Sequence, residues 1–155
     1  MKAVVFGLGR MGICIAYGMH HLGYKVHCVD KLPNGYKLKG LVPGGKFTLI
    51  EKNSEIKKLL SKEKPDIVIS SMPYHQLWHV AKACVDLNIR YCDLGGRVDV
   101  SANIDRFAEE NGFPFVFTDL GLAPGLVNIL AEWGYDSLGG ADSIKMMVGG
   151  LPDRA

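Results

Sequence analysis

The first thirty residues constrain the fold of this chain more than any other stretch. An apolar run at residues 3–6 leads directly into the pattern G-x-G-x-x-G, and we call residues 7–12 the glycine turn. Apolar residues then recur at helical spacing up to Gly23, and a second apolar run closes on Asp30. The apolar face of that helix is expected to contain Ile15, Met19 and Leu22. This order predicts a buried parallel strand, a tight turn, a helix and a second parallel strand.

Each glycine of the turn has a separate physical role. Gly7 permits the tight turn out of the strand, Gly9 leaves the backbone open to a pyrophosphate, and Gly12 lets the helix pack closely on the sheet. Unpaired N–H groups at the start of the helix, at Arg10 and Met11, would face the anion. The turn therefore predicts a dinucleotide-binding site, and a glycine turn without a ligand is the alternative.

The acidic residue at the end of the second strand indicates which dinucleotide would bind. Asp30 lies 21 residues beyond Gly9, where a carboxylate can accept hydrogen bonds from both ribose hydroxyls of an adenosine. A 2′-phosphate beside that carboxylate would be repelled, so Asp30 favours NAD over NADP. The adjacent Lys31 weakens the preference and leaves NADP as a second candidate.

Composition describes an ordinary globular domain. The 155 residues are 48% hydrophobic and 22% charged, which suits one domain with a substantial core. The net charge of +2 is too small to indicate binding to nucleic acid or to an anionic membrane. No signal peptide or membrane-spanning run is recognisable, so we expect a cytoplasmic protein.

The cysteines and histidines do not form a metal-site pattern. The four cysteines are scattered without a C-x-x-C pair, which predicts buried free thiols rather than a disulfide framework or a zinc site. His75 and His79 have the i, i+4 spacing that can hold a metal on a helix, but no third ligand accompanies them. We therefore expect exposed histidines and no metal.

Strands and helices are predicted to alternate through the rest of the chain. Strand patterns occupy residues 46–50, 66–70, 90–94, 113–118 and 143–150, and helix patterns occupy residues 55–60 after a Ser54 cap, 75–87, 102–111 and a segment after Gly125. The alternation predicts a Rossmann-type, doubly wound α/β fold, with a mostly parallel sheet, helices on both faces and a single domain over residues 1–155. We expect residues 46–50 at a sheet edge and residues 66–70 in its middle.

Three successive strand ends carry polar or glycine-rich loops. They are Ser71, Met72 and Pro73, then residues 93–96, then residues 119–125, which we call the Asp119 loop. In a doubly wound sheet these loops would open on the same edge as the glycine turn, where ligands bind. Pro124 suits a first helical turn, and the N–H groups behind it predict a second small anion site. The alternative is that Asp93 and Asp119 only cap turns.

Four segments of the chain resemble one enzyme family. They are I-S-S-M-P-Y at residues 69–74, Y-C-D-L-G-G at 91–96, G-L-A-P-G-L-V-N at 121–128 and V-G-G-L-P at 148–152. Together they resemble the saccharopine dehydrogenase and lysine 6-dehydrogenase family. The resemblance implies the N-terminal NAD(P)-binding domain of an enzyme that oxidises or reduces a carbon–nitrogen bond of a lysine-like amino acid. It also implies a second α/β domain, which would supply most of the amino-acid site and much of a dimer contact, and which we expect to be absent from this chain.

The resemblance also implies roles for individual residues. The pyrophosphate would lie at the glycine turn, the adenosine ribose at Asp30 and the nicotinamide beside Ser71, Met72 and Pro73. The nicotinamide and the substrate would meet at Asp93, Leu94, Gly95, Asp119, Ala123, Pro124 and Gly125. No residue is assigned to the amine proton, since that group can belong to the second domain. The expected partners are the dinucleotide, an amino-acid substrate once a catalytic domain is supplied, and a second copy of the chain in a homodimer.

Two other interpretations stay open at this point. A stand-alone nucleotide-sensing module, like those that gate potassium uptake, is also a single Rossmann domain with the same turn and acidic residue. Such a sensor has no need of the loops at residues 93–96 and 121–125. A truncated gene product that folds without activity is the third interpretation.

Overall fold

A computed structural model describes residues 1–149 of the chain. The strands are β1 (Lys2–Phe6), β2 (Lys25–Asp30), β3 (Lys46–Leu49), β4 (Ile67–Ser70), β5 (Arg90–Asp93) and β6 (Val116–Phe117). The helices are α1 (Arg10–His21), α2 (Ser54–Glu63), α3 (Tyr74–Asp86), α4 (Val98–Glu110) and α5 (Leu126–Ser137), and a 3₁₀ helix spans Asn34–Leu38. Elements of the two kinds alternate as predicted.

The six strands form one parallel sheet. Its order is β3-β2-β1-β4-β5-β6, and each neighbouring pair is parallel. The predicted doubly wound α/β fold is therefore confirmed, with β3 at one edge and β4 in the interior of the sheet. The chain order reverses between β1 and β4, which is where ligands bind in sheets of this kind.

Alternating side chains of the strands build two cores. Val4 and Phe6 of β1 point to the face covered by α2, α3 and α4. Ala3 and Val5 point to the opposite face, where Ala16 of α1 packs. Because successive side chains of a strand alternate between faces, a strand covered on both sides must be apolar throughout. The predicted helices on both faces are confirmed.

The buried face of α1 differs from the predicted one. Its buried residues are Gly12 and Ala16, whereas Leu22 is 70% exposed. Ile15 and Met19 pack against the core but are only partly buried. The helix contacts the sheet through Gly12 and Ala16, its smallest residues. Because these residues let the helix lie close to the strands, the larger side chains lie at the sides of the contact.

Two helix starts also differ from the predictions. Ser54 is the first residue of α2 rather than its cap, and the N-terminal amides of Glu51 and Lys52 donate instead to the Glu55 carboxylate at 3.2 and 3.0 Å. Helix α4 begins at Val98, four residues before the predicted start, with an acidic residue in its first turn.

The C-terminal strand predictions are partly wrong. Strand β6 has two residues instead of the predicted 113–118, because Phe113 packs in a small core with α3 and α4 and Pro114 has no N–H to donate. Residues 143–149 form no strand, since none of the described strands pairs with them. Gly150 and the end of the 148–152 motif lie outside the described residues.

The cysteines are free thiols. Cys28 and Cys84 are buried as predicted and Cys92 is half-buried, but Cys14 is exposed. Both His75 and His79 are exposed. Within residues 1–149, the His, Cys, Asp and Glu side chains do not gather in threes that could hold a metal ion. Over the same residues, none of the helices combines the length and apolarity needed to cross a membrane.

Candidate functional site

The glycine turn connects β1 to α1 at the reversal point of the sheet. Gly7 has a φ of +84°, a conformation that L side chains rarely adopt. A Cβ on Gly12 would overlap the carbonyl oxygen of Gly7, so α1 can approach the turn only because residue 12 has no side chain. A Cβ on Gly9 would meet no atom within 4 Å. The turn is therefore closed on its inner side and open at Gly9, as a cradle for a phosphate group requires.

Ser71 joins the end of β4 to the glycine turn. Its hydroxyl donates to the carbonyl oxygen of Gly7 at 2.7 Å, and its backbone N–H donates to that of Phe6 at 2.8 Å. Met72 is half-buried against the core, and Pro73 is exposed and precedes α3. The loop after β4 therefore lies at the same edge as the glycine turn and is in contact with it.

Asp30 lies at the end of β2 and is bound to the glycine turn. Its Oδ2 accepts a hydrogen bond from the Leu8 N–H at 2.6 Å, and its Oδ1 accepts one from the Leu32 N–H at 2.9 Å. Burial would raise the pKa of Asp30, but hydrogen bonds from Leu32, Leu8 and Asn34 together lower it. The carboxylate is ionised near neutral pH and retains lone pairs for further donors.

Two side-chain contacts, one to the Asp30 carboxylate and one to the glycine turn, were not predicted. The Asn34 side-chain amide donates to Asp30 Oδ2 at 3.2 Å, and Lys37 Nζ donates to the carbonyl oxygen of Leu8 at 3.1 Å. Both residues belong to the 3₁₀ helix. The surrounding stretch is rich in glycine and lysine and has no apolar periodicity, so the sequence does not predict which side chains face the turn. Lys31, which was predicted to contact the cofactor, is exposed.

Asp93 at the end of β5 is buried and fully engaged with its own protein. It is 1% exposed, and its Oδ2 accepts the Tyr91 hydroxyl at 2.8 Å. Its Oδ1 accepts the backbone N–H groups of Gly95 at 2.8 Å and Asp119 at 3.2 Å. Burial raises the pKa of Asp93, and these hydrogen bonds oppose the shift. The carboxylate therefore caps two loops at once, which is the turn-capping alternative considered from the sequence.

Asp119 lies directly beside Asp93. It has a φ of +59°, and its Oδ1 accepts the Ser101 hydroxyl of α4 at 2.9 Å. A Cβ on Gly95 would overlap the same Oδ1 atom. Strained backbone of this kind persists only where the surroundings hold it, and it is common at functional sites.

The Asp119 loop folds back on the loop after β5. The Leu120 N–H donates to the Asp93 carbonyl oxygen at 2.8 Å, and a Cβ on Gly121 would lie 2.6 Å from the carbonyl oxygen of Leu94. Gly125 is half-buried, whereas Ala123 and Pro124 are exposed. The predicted loops thus form a continuous row along the carboxyl ends of β1, β4, β5 and β6.

The second anion site predicted behind Pro124 is not formed. Helix α5 begins at Leu126, whose N–H donates to the Gly121 carbonyl oxygen at 2.9 Å. The N–H of Val127 donates to the Leu122 carbonyl oxygen at 3.0 Å. The loop carbonyls therefore satisfy the amides that an anion would need.

The fold matches known structures, although no protein-family model matches the sequence. The chain is similar to apo saccharopine dehydrogenase (L-Glu forming) from Saccharomyces cerevisiae, with a TM-score of 0.73 and 17% identity, covering 89% of this chain and 31% of that one. It is similar to leucoanthocyanidin reductase from Vitis vinifera in its binary complex with NADPH, with a TM-score of 0.61 and 17% identity, covering 76% and 48%. It is also similar to an imine reductase from Myxococcus stipitatus in complex with NADP+, with a TM-score of 0.54 and 15% identity, covering 76% and 39%.

The matched region is a part of each of these proteins. The chain spans 31% of the saccharopine dehydrogenase and 48% of the leucoanthocyanidin reductase. At these identities the similarity concerns the fold. The predicted resemblance to saccharopine dehydrogenase is thereby confirmed in fold: the chain has the same doubly wound α/β arrangement as the part of that enzyme which it matches.

Proposed function

We propose that this chain is the nicotinamide-dinucleotide-binding part of an oxidoreductase, with NAD as the favoured cofactor and NADP as the second candidate. The geometry of the glycine turn carries the proposal, because its one open position, Gly9, lies at the start of α1. The ionised carboxylate of Asp30, at the end of the adjacent strand β2, accepts a hydrogen bond of 2.6 Å from the Leu8 N–H of the turn. A phosphate cradle next to a ribose acceptor is the arrangement that a dinucleotide needs.

In this proposal, three parts of the cofactor contact different groups of residues. The amides of Arg10 and Met11, in the first turn of α1, have no partner within an α-helix and would bind the pyrophosphate. Asp30 would accept the adenosine hydroxyls, with Lys31 nearby. The nicotinamide would lie beside Ser71, Met72 and Pro73, and next to Leu94. Hydride transfer needs from the protein mainly orientation and charge.

The substrate is proposed to be a lysine-like amino acid, oxidised or reduced at a carbon–nitrogen bond. Gly95, Asp119, Ala123, Pro124 and Gly125 lie at the next strand ends, where a substrate would meet the nicotinamide. Asp93 would act there by positioning both loops. The fold similarity to a saccharopine dehydrogenase and to an imine reductase supports this chemistry. The group that handles the amine proton would come from a catalytic domain, in the same polypeptide or in another chain, and we propose a homodimer.

Calorimetric titration with NADH and with NADPH tests the cofactor proposal. Gly9→Ala adds a methyl group at a position where its Cβ meets no protein atom within 4 Å, so the variant should fold normally and bind NADH at least about tenfold more weakly, a loss of about 1.4 kcal/mol. Gly18→Ala is the matched control, because its Cβ also meets no atom within 4 Å but lies away from the turn. Equal NADH binding by both variants would contradict the site.

A second titration tests the role of the acidic residue. Asp30→Asn keeps the shape of the side chain and removes its charge, so it should weaken NADH binding and reduce the preference for NADH over NADPH. An unchanged preference would remove Asp30 from the ribose site. Binding without hydride transfer to or from lysine-like amino acids, together with a nucleotide-driven change in oligomeric state, would favour the sensing module instead.

A further inference from the structure

A cavity of about 320 Å³ lies at the amino-terminal ends of the strands, whereas the glycine turn lies at their carboxyl ends. Lys2 of β1, Lys25 of β2 and Lys46 of β3 line it, and each is the first residue of its strand. These strands are adjacent and parallel, so their starting ends meet at one edge: Lys2 is in register with Lys25, and His27 with Lys46. The volume is at the lower end of the range for small-molecule sites, about 300 to 1,000 Å³.

The cavity carries an excess of positive charge. Glu63 is the one acidic residue among its described lining residues. Lys2 already neutralises it, with Nζ 3.1 Å from Glu63 Oε2 and donating to the Glu63 carbonyl oxygen at 2.5 Å. Within residues 1–149, Lys25 and Lys46 form no ion pair. Two uncompensated ammonium groups around one concavity repel each other and attract an anion.

A buried imidazole in the lining is engaged with two neighbouring side chains. His27 is 5% exposed, and its Nε2 lies 2.8 Å from the hydroxyl of Thr48. Its Nδ1 lies 3.4 Å from Glu63 Oε2, the same carboxylate oxygen that Lys2 contacts. Burial lowers the pKa of His27, so the ring adds little positive charge to the cavity near neutral pH.

The rest of the lining suits an apolar group. Tyr24, which is half-buried, lines the cavity beside the lysines and can present its aromatic ring to a ligand. We propose that this strand-start cavity binds a small organic monoanion with an apolar body, whose charged group lies between Lys25 and Lys46 and whose body packs on Tyr24. The site is separate from the dinucleotide site, since the two lie at opposite ends of the same strands.

An NMR titration of the whole chain with phenylacetate tests this site. Phenylacetate combines a carboxylate with one ring, and phenylacetamide is its neutral counterpart. We expect saturable shifts of the backbone amides of Tyr24, His27 and Lys46, and binding of phenylacetamide at least about tenfold weaker. Saturating NADH should leave the phenylacetate affinity unchanged. Absence of saturable binding, equal binding of the amide, or competition by NADH would each overturn the proposal.

Charge-reversal variants locate the anion. K25E/K46E should weaken phenylacetate binding at least about tenfold. K52E/K58E is the matched control, because it reverses two exposed lysines on and before α2 and changes the net charge equally. Full affinity in K25E/K46E, or equal losses in both variants, would overturn the site. If K25E/K46E loses its folded spectrum, K25Q and K46Q are each expected to weaken binding severalfold, and unchanged affinity in both would overturn the site equally.

Discussion

Helices α3 and α5 are similar in sequence pattern and opposite in environment. Each follows a strand-end loop that contains a proline, and they have 13 and 12 residues. Helix α3 buries six residues, which are Leu77, Val80, Ala81, Ala83, Cys84 and Val85. Helix α5 buries none, and its Ile129 and Trp133 are 62% and 69% exposed.

The difference shows that an apolar face on a helix does not by itself specify burial. Helix α3 packs against α2, α4 and β5, so its apolar side chains enter an existing core. The strand before α5 is only two residues long and provides no comparable surface. Apolar spacing therefore predicts that a face exists, and the neighbouring elements decide whether that face is covered.

The largest contrast is expected from matched leucine truncations. Leu77→Ala in α3 should lower the free energy of unfolding by about 2 to 5 kcal/mol, because it leaves a cavity in the core. Leu130→Ala in α5 should change it by less than about 0.5 kcal/mol, because that side chain is 54% exposed. Urea unfolding of both variants measures the difference. A cost at Leu130 as large as that at Leu77 would mean that α5 is packed in solution.

Replacing a helical glycine with alanine should have opposite effects on the free energy of unfolding in a tightly packed helix and in an exposed one. Gly12→Ala in α1 forces a Cβ onto the Gly7 carbonyl oxygen and should destabilise the protein by about 1 to 3 kcal/mol. Gly134→Ala in α5 meets no atom within 4 Å and should stabilise it by about 0.5 to 1 kcal/mol. Thermal and urea unfolding provide the comparison. Opposite signs are expected, and equal effects would contradict the close approach of α1 to the turn.

The contribution of Asp93, at the end of β5, to the free energy of unfolding is expected to depend on pH. Because the pKa of Asp93 is raised by burial, the folded state holds its proton to higher pH than the unfolded state, whose ordinary value is 3.8. Its contribution to stability is therefore fully present below about pH 3.8 and is lost as the pH rises through the folded pKa. Asp93→Asn keeps the hydrogen-bonding shape and removes this loss, so it should gain stability relative to wild type between pH 4 and pH 7.

Urea unfolding across that pH range checks the prediction about Asp93. The control is Asp136→Asn, at an exposed position of α5. Its effect on the free energy of unfolding should stay within about 0.5 kcal/mol. A stability difference between Asp93→Asn and wild type that does not vary with pH would place the Asp93 carboxylate in a solvated position.

Replacing each tryptophan in turn compares the exposure of α3 and α5 directly, and the replacement in α5 should have the smallest effect on stability. Trp78 of α3 packs edge-on against Phe107 with ring centroids 5.2 Å apart, whereas Trp133 is 69% exposed. Acrylamide should quench fluorescence strongly in Trp78→Phe, which retains Trp133, and weakly in Trp133→Phe. The Trp133 substitution itself should cost less than about 0.5 kcal/mol. Weak quenching of both, with a dimeric mass by light scattering, would show that a second copy covers α5.

The candidate site could be predicted where its chemistry follows from position along the chain. Gly7, Gly12 and Asp30 lie where the strand, turn and helix pattern places them. The role of Ser71 in closing the turn, and of Tyr91 and Ser101 in holding Asp93 and Asp119, could not be predicted. The contacts of Ser71 and Ser101 join residues that are 64 and 18 positions apart, which local spacing does not record. Tyr91 and Asp93 lie two residues apart on one face of β5, but their burial depends on the layers packed against that face.

By itself the sequence determined the order of strands and helices, the parallel doubly wound sheet and the position of the glycine turn. These features depend on local periodicity, glycine conformation and the handedness of strand connections, which act over a few residues or one crossover. Tertiary structure alone decided that Gly12 and Ala16 form the buried face of α1, that Asp93 is buried, and that α5 is exposed. Burial depends on which surfaces meet, and that is a property of the assembled layers rather than of any single segment.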